Sequence, residues 1–299
     1  MDHLIRNFPG TLTEGAQLAA GYEVKTSGRL IICGMGGSSI PGEFLALLKP
    51  EAVLWQNYDL PFDARVSDVV ICISWSGNTA ETISSFERAQ TLGIETHVIT
   101  KGGALAQKAQ EKNIPIVILP QETFPARLGA GYMTGALFAM VGLEKELQFT
   151  SADSESTGKA LAQKIDSKIP LLYGAGPIAR MGVLWKMLFN ENSKIPAFWN
   201  SFPVAAHNEV EALTPASKDK FIVLVLKHTE NKDITALLAF LDKVGYTYEI
   251  ISAPPGESLV QTALQSYIVG LWTSYWLAQQ LQVDPLKNEQ IEVFKQLKA

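Results

Sequence analysis

RLIICGMGGSSIPGEFLALLK, residues 29–49, and IPLLYGAGPIARMGVLWKMLF, residues 169–189, follow one plan. Each opens with a short apolar run, passes through a Gly-x-Gly turn and continues with apolar residues at helical spacing. A run of four to eight apolar residues without alternation reads as a strand buried on both faces, the signature of a parallel sheet covered by helices. Strand, glycine turn and helix in that order make the first half of a βαβ unit.

The same alternation extends outward from both copies. In the first half AVLWQN, DVVICISWS, ETHVIT and IPIVILP read as further strands, with GEFLALL and AETISSFERAQTLG as helices between them. In the second half KFIVLVLK and YTYEIIS read as strands, separated by a helix from about residue 233 to 244. A long helix from about 258 to 281 and a short one from about 288 to 297 follow. The expected fold is therefore α/β, two doubly wound parallel-sheet subdomains of flavodoxin-like sandwich type. The expected domains are 1–150 and 151–299, meeting near the polar LQFTSADSESTG at 147–158, which suits a linker or a helix start.

Composition narrows the partners. The chain has 299 residues, 47% of them hydrophobic and 18% charged, which suits two domains rather than one small core. Net charge is −5 with both signs interspersed, so nucleic acid is not an expected partner. No apolar run approaches the ~20 residues needed to span a bilayer. The opening MDHLIRNFPGTLTEGAQ lacks a basic stretch followed by an apolar one, so no secretory leader is expected in it. Cys33 and Cys72 sit inside apolar runs as small core residues, and His3, His97, His207 and His228 have no metal-ligand spacing. A reducing cytoplasm is the expected compartment, and no metal or organic cofactor is implied.

Two strand-to-helix turns carry chemistry. GMGGSS (34–39) brings backbone N–H groups and a helix N-terminus to one place, as an anion site needs, although any tight strand-to-helix turn looks similar. It is not a G-x-G-x-x-G dinucleotide fingerprint. ISWSGNTAET (73–82) delivers Ser74, Ser76 and Thr79 to the mouth of a helix with no lysine or arginine among them. A phosphomonoester held by hydroxyls and amides fits this pair of turns, because ligands of open α/β sheets sit at such strand ends. The candidate phosphate-binding residues are Gly36, Gly37, Ser38, Ser74, Ser76 and Thr79. The second half has GAGPIAR and no copy of SGNT, so one phosphate site per chain is expected.

A third feature is NENSKIPAFWNSFPVAAHNE at 190–209, where Glu191 and His207 each stand among amides. Glu191 ends the helical VLWKMLFNEN, where the helix dipole disfavours a carboxylate, and either a solvent-facing glutamate or a half-buried base fits that place. His207 is either a structural hydrogen-bonding group or an acid–base group working near neutral pH.

GMGGSS followed by SWSGNTAET resembles the sugar isomerase (SIS) domain family, which binds phosphosugars. FPARLGAGY, NENSKIPA, the His207-Asn208-Glu209 triplet and the C-terminal DP…IEVFK narrow the resemblance to the bifunctional phosphoglucose/phosphomannose isomerases of the phosphoglucose isomerase superfamily. The matches run from about residue 29 to 295. The resemblance implies interconversion of glucose 6-phosphate, and of mannose 6-phosphate, with fructose 6-phosphate through ring opening and a cis-enediol(ate). It implies Glu191 as the base, His207 as the ring-opening group supplied from the other subunit of a homodimer, Arg127 as the charge facing the enediolate, and Lys295 at the ring end. Lys287 and Lys298 are also available for the last role. The aromatic residues Phe198, Trp199 and Phe202 are then interface or core.

Two departures stand out. The arginine lies in Pro-Ala-Arg rather than Pro-Arg, and the family's C-terminal threonine is missing, with Asn288 in its neighbourhood. The resemblance therefore carries phosphoglucose activity further than phosphomannose activity. The competing expectations are an isomerase of another phosphosugar, a non-catalytic SIS-domain phosphosugar-binding protein, and a lapsed enzyme. About 28 residues precede the first strand without a basic recognition helix, which argues against a DNA-binding regulator.

Overall fold

The structure, a computed structural model, describes residues 1–25, 28–149, 151–252 and 257–298, without the side chain of Lys298. The chain divides into two compact units, residues 6–149 and residues 1–5 with 150–299.

The first unit is built on a five-stranded parallel sheet: β1 (Leu30–Cys33), β2 (Val53–Trp55), β3 (Val69–Ser74), β4 (Glu95–Thr100) and β5 (Ile116–Ile118), in the order β2-β1-β3-β4-β5. β1 and β3 are buried at every position, as their unbroken apolar sequence requires. Cys33 and Cys72 stand opposite each other in these strands, both buried with free thiols. Ile31, Val70 and Val98 pack with Phe86 and Leu105 of the helices Ala80–Leu92 and Gly103–Glu111. The helices Phe8–Leu18 and Ala130–Met140 pack on each other, and Ala130–Met140 is buried almost all round.

The second unit repeats the plan with four parallel strands: β6 (Ile169–Ala175), β7 (Phe198–Phe202), β8 (Phe221–Lys227) and β9 (Tyr248–Ser252), in the order β7-β6-β8-β9. β6, β7, β8 and β9 correspond to β1, β2, β3 and β4. Tyr173, Phe202, Val223 and Val225 pack with Leu237 and Leu241 of the helix Lys232–Val244. The long helix Leu259–Gln280 packs against the helices Ser154–Ile165 and Met181–Leu188, and a capping box at Ser258 and Gln261 starts it. The polar stretch at 147–158 contains the start of the helix at Ser154. Among the described residues no helix is long and apolar enough to cross a membrane.

The segment Phe198–Phe202 corrects the sequence reading, which left it outside both sheets. It pairs in parallel with β6, from Phe198 opposite Leu171 to Phe202 opposite Ala175. Its residues FWNSF carry two polar positions and lie between prolines 196 and 203, which hides the strand signal. β7 is an edge strand: Phe202 is core, while Phe198 and Trp199 keep exposed faces. The Trp199 indole N–H donates to the Ala179 carbonyl at 2.7 Å, which fixes the edge to the GAGPIAR turn.

Candidate functional site

In the first unit the sequence turns GMGGSS and SWSGNT leave β1 and β3, neighbouring strands of the sheet. The order β2-β1-β3 reverses direction between these two, and such a switch point opens a crevice at the strand ends. Gly36–Ser39 forms a 3₁₀ turn that runs directly into the helix Ile40–Leu48. The helix Ala80–Leu92 likewise follows the SWSGNT turn directly.

The hydroxyls do two jobs there. Ser38 is buried, and its Oγ accepts the Trp75 backbone N–H at 3.0 Å, which ties one turn to the other. Ser74 is fully buried, accepts the Gly77 N–H at 3.1 Å and lies 3.1 Å from the Thr79 hydroxyl. Ser76 is exposed, and its Oγ accepts the Asn78 N–H at 3.2 Å. In Ser38 and Ser76 a lone pair is taken by a backbone donor, which leaves the O–H proton to donate elsewhere. Hydroxyls oriented in this way suit an anion with many acceptor oxygens.

Arg127 is buried, 1% exposed, on the 3₁₀ turn Ala126–Leu128 beside the GMGGSS turn. A Cβ on Gly37 would lie 2.5 Å from the Arg127 backbone nitrogen, so this close approach needs glycine. Trp75 holds both loops. Its indole N–H donates to the Phe124 carbonyl at 3.0 Å, its ring stacks on Phe124 with centroids 5.5 Å apart, and it fills the space a Cβ on Gly129 would take.

Sequence reasoning missed the loop after β4. Asn78 does not point its carbonyl at the crevice: its Oδ1 accepts the Ala104 N–H at 3.0 Å, and the Gly77 carbonyl accepts the Leu105 N–H at 2.9 Å. The loop Lys101-Gly102-Gly103 is therefore bolted to SGNT. The Lys101 ammonium sits 4.8 Å over the Trp75 ring and donates to the Glu122 carbonyl. Burial pushes its pKa below the ordinary lysine value, against the pull of nearby Glu122. The signal available was Lys-Gly-Gly directly after the strand ETHVIT.

In the second unit Glu191 lies on a π-helical turn, Phe189–Ser193, that extends the helix Met181–Leu188. Single π turns of this kind occur often at functional sites. The residues around Glu191 explain why the turn keeps this shape. Asn192 is fully buried and donates to the Ser274 hydroxyl at 2.9 Å, and the Ser193 hydroxyl donates to the Ser274 carbonyl at 2.8 Å. Asn190 donates to the Ile195 carbonyl at 2.8 Å. Asn190 thus holds a backbone carbonyl and Asn192 a buried hydroxyl, and the Glu191 carboxylate faces a cavity of about 540 Å³. The opposite wall is the segment from Val283 to Ile291, from which Asn288 reaches the Glu191 Oε2 at 3.5 Å.

His207 ends the 3₁₀ turn Val204–His207 and is exposed. Its neighbour Glu209 is the anchor of that loop, accepting the Tyr173 hydroxyl at 2.7 Å and the Asn200 amide at 2.6 Å. Burial and the Glu209 carboxylate push the Tyr173 pKa well above the ordinary tyrosine value. Lys295 is on the C-terminal helix Glu289–Lys298, 63% exposed, with its ammonium 2.8 Å from Glu292. Lys287 lines the Glu191 cavity, and Lys295 is not among its lining residues.

The profile of the bacterial phospho-glucose isomerase C-terminal SIS domain matches residues 154–297. The bifunctional phosphoglucose/phosphomannose isomerase of Aquifex aeolicus is 32% identical over 289 residues, 89% of this chain and 89% of its own length. The D-glucosamine-6-phosphate 4-epimerase of Sulfolobus acidocaldarius is also 32% identical, over 293 residues, 92% of this chain and 90% of its own. Among solved structures, a putative phosphosugar isomerase from Clostridium difficile matches with a TM-score of 0.73 at 15% identity, covering 98% of this chain and 97% of that one. A glucose-6-phosphate isomerase-like protein from Thermus thermophilus matches at 0.60 and 16%, covering 96% and 94%. The chain belongs to the bifunctional phosphoglucose/phosphomannose isomerase family of SIS-domain proteins.

Gly37→Ala is expected to push the Arg127 turn away from GMGGSS. The expected cost is ~1–3 kcal/mol of stability and about a tenfold or larger rise in KM for a hexose 6-phosphate, read by urea unfolding and steady-state kinetics. Glu209→Ala leaves the buried Tyr173 hydroxyl without its acceptor and is expected to cost about 1–3 kcal/mol in the same unfolding experiment. Because the Tyr173 pKa is raised in the folded chain, the stability contributed by that bond is full below the ordinary value of about 10 and falls as pH rises from there toward the raised folded value. The gap between wild type and Glu209→Ala is therefore expected to narrow at strongly alkaline pH.

Proposed function

We propose that the protein interconverts glucose 6-phosphate, and mannose 6-phosphate, with fructose 6-phosphate. The observation that carries this reading is the Glu191 carboxylate, set on a π turn whose neighbouring amides are used up in holding it, facing a cavity large enough for a hexose. Family membership supports the same reaction class.

The chemistry assigns the roles. A cyclic sugar must first open, with the anomeric hydroxyl losing a proton and the ring oxygen gaining one; His207 and Lys295 are the proposed groups for this step. Glu191 then removes the proton on C2 of the open aldose, which gives a cis-enediol(ate), and returns it to C1 while a proton passes from O2 to O1. The negative charge that develops on the enediolate oxygens calls for a fixed cation, the role proposed for Arg127. Gly36, Gly37, Ser38, Ser74, Ser76 and Thr79 are proposed to hold the 6-phosphate. The proposal divides the labour between residues 1–150 as the phosphate-binding SIS domain and 151–299 as the source of Glu191 and His207. It includes a homodimer in which His207 of the partner subunit completes each Glu191 site, and it places the enzyme in the cytoplasm, where hexose phosphates and reduced thiols such as Cys33 and Cys72 belong.

A second reading rests on the Sulfolobus relative, named for changing the configuration of glucosamine 6-phosphate at C4. Formation of galactosamine 6-phosphate from glucosamine 6-phosphate would select it. Formation of fructose 6-phosphate from glucose 6-phosphate or mannose 6-phosphate selects the isomerase.

Glu191→Gln is expected to lower kcat about 10²–10⁴-fold with substrate binding kept, measured in a coupled fructose 6-phosphate assay with EDTA present. Inactive Glu191→Gln and His207→Ala chains, unfolded together and refolded, are expected to regain activity. One site in each mixed dimer then receives both an intact glutamate and an intact histidine. No recovery in the mixture would place His207 beside the Glu191 of its own chain.

A further inference from the structure

Lys194 follows the π turn and takes the left-handed backbone conformation, with φ at 59°. Its side chain is exposed but folds back on the protein surface. The ammonium donates to the carbonyl of Glu191, at the end of the helix, and to the carbonyl of Lys287, on the opposite wall of the cavity. Those two walls also carry the Glu191 carboxylate and the Asn288 amide, which donates to Glu191 Oε2 at 3.5 Å. A distance at the outer limit of a hydrogen bond is sensitive to any shift of either wall.

We propose that Lys194 is a positioning residue for Glu191, a clamp that holds the two cavity walls at the spacing at which Asn288 orients the carboxylate. The proposal rests on the reading of Glu191 as the base. The clamp has a second effect. Carbonyls at a helix C-terminus carry the negative end of the dipole, and an ammonium bound there offsets it beside a carboxylate that the dipole would otherwise disfavour. Lysine suits the task because its three donors on a flexible stem can reach two carbonyls at once.

Three variants test this. Lys194→Gly keeps the left-handed turn, since glycine adopts it freely, and removes only the side chain, so the melting temperature should hold or rise. Lys194→Gln keeps the length and loses the charge, and Lys194→Arg keeps the charge and two or more donors. The expected result is a fall in kcat of about 10–100-fold for the glycine and glutamine variants with KM little changed, and most of the activity kept by the arginine variant. The second readout is the side-chain amide resonance of Asn288 in asparagine-labelled protein, assigned by its loss in Asn288→Asp; it should move in Lys194→Gly. A Lys194→Gly protein with kcat within about twofold of wild type and an unmoved Asn288 resonance would overturn the clamp. If wild type converts no hexose 6-phosphate, the functional reading fails instead, and the Asn288 resonance alone decides the clamp.

Discussion

The hydrogen bond from the Trp75 backbone N–H to the Ser38 hydroxyl, 3.0 Å long, spans the crevice between β1 and β3. The ladder between β1 and β3 ends at Cys33 opposite Cys72, and beyond it the two turns are no longer paired with each other in the sheet. The serine replaces the missing ladder with one side-chain bond. Everything nearby then attaches to Trp75. Its ring packs on Phe124 and fills the space over Gly129, which sets the turn bearing Arg127, and Lys101 covers its face. An anion site with few charges depends on donors that are already fixed before the ligand arrives, since each donor ordered on binding subtracts from affinity. At the proposed phosphate site of the first unit, packing around Trp75 fixes the turns in this way.

The second unit shows what the same plan becomes without that use. Gly176 matches Gly36, but Pro177, Ile178 and Ala179 stand where Gly37, Ser38 and Ser39 stand in the first unit. Proline has no N–H to offer, and the next two residues have no hydroxyl. After β8 the turn carries Lys227 and Glu230, paired at 2.6 Å, so its cation is already matched by an anion. A dianion finds little here. The polar investment of the unit has moved to the helix end at 189–194 and to the loop at 207–209, each tied to a buried partner, Ser274 in one case and Tyr173 in the other.

What was legible in the sequence follows from how strong each local signal is. β1, β3 and β8 are apolar runs buried along their centres and β6 is partly so, and such runs before glycine turns read as strands of a covered parallel sheet. The repeat of RLIICGMGG in IPLLYGAGP made the second sheet predictable from the first. β7 escaped because an edge strand needs only one apolar side, and FWNSF between two prolines meets that need without a pattern. The loop at 101–103 escaped because its function is relational. Nothing in Lys-Gly-Gly says that the N–H of Ala104 just after it will donate to the Asn78 carbonyl; that partnership exists only once β3 and β4 lie side by side. Likewise Ser38 and Ser74, phosphate-ligand candidates by sequence, both have a prior duty in holding the turns.

The asparagines of NEN illustrate the same limit from the other side. In the sequence they look like a polar cluster around an acid, and a polar cluster reads as a solvated or catalytic face. In the fold each amide points away from the acid, Asn190 to a backbone carbonyl and Asn192 into the core. Amides are the suitable residues for this, because each donates and accepts without charge and can be buried at little cost once paired. A π turn widens the helix by one residue, which breaks the regular pairing of its last carbonyls and needs such substitutes to persist. The widening places Glu191 off the line of the preceding helix, over the cavity rather than along the helix surface. The carboxylate and the π turn that presents it are therefore one feature, maintained by Asn190, Asn192, Ser193 and Ser274 together, and a search for catalytic residues by type alone finds the acid without finding what aims it.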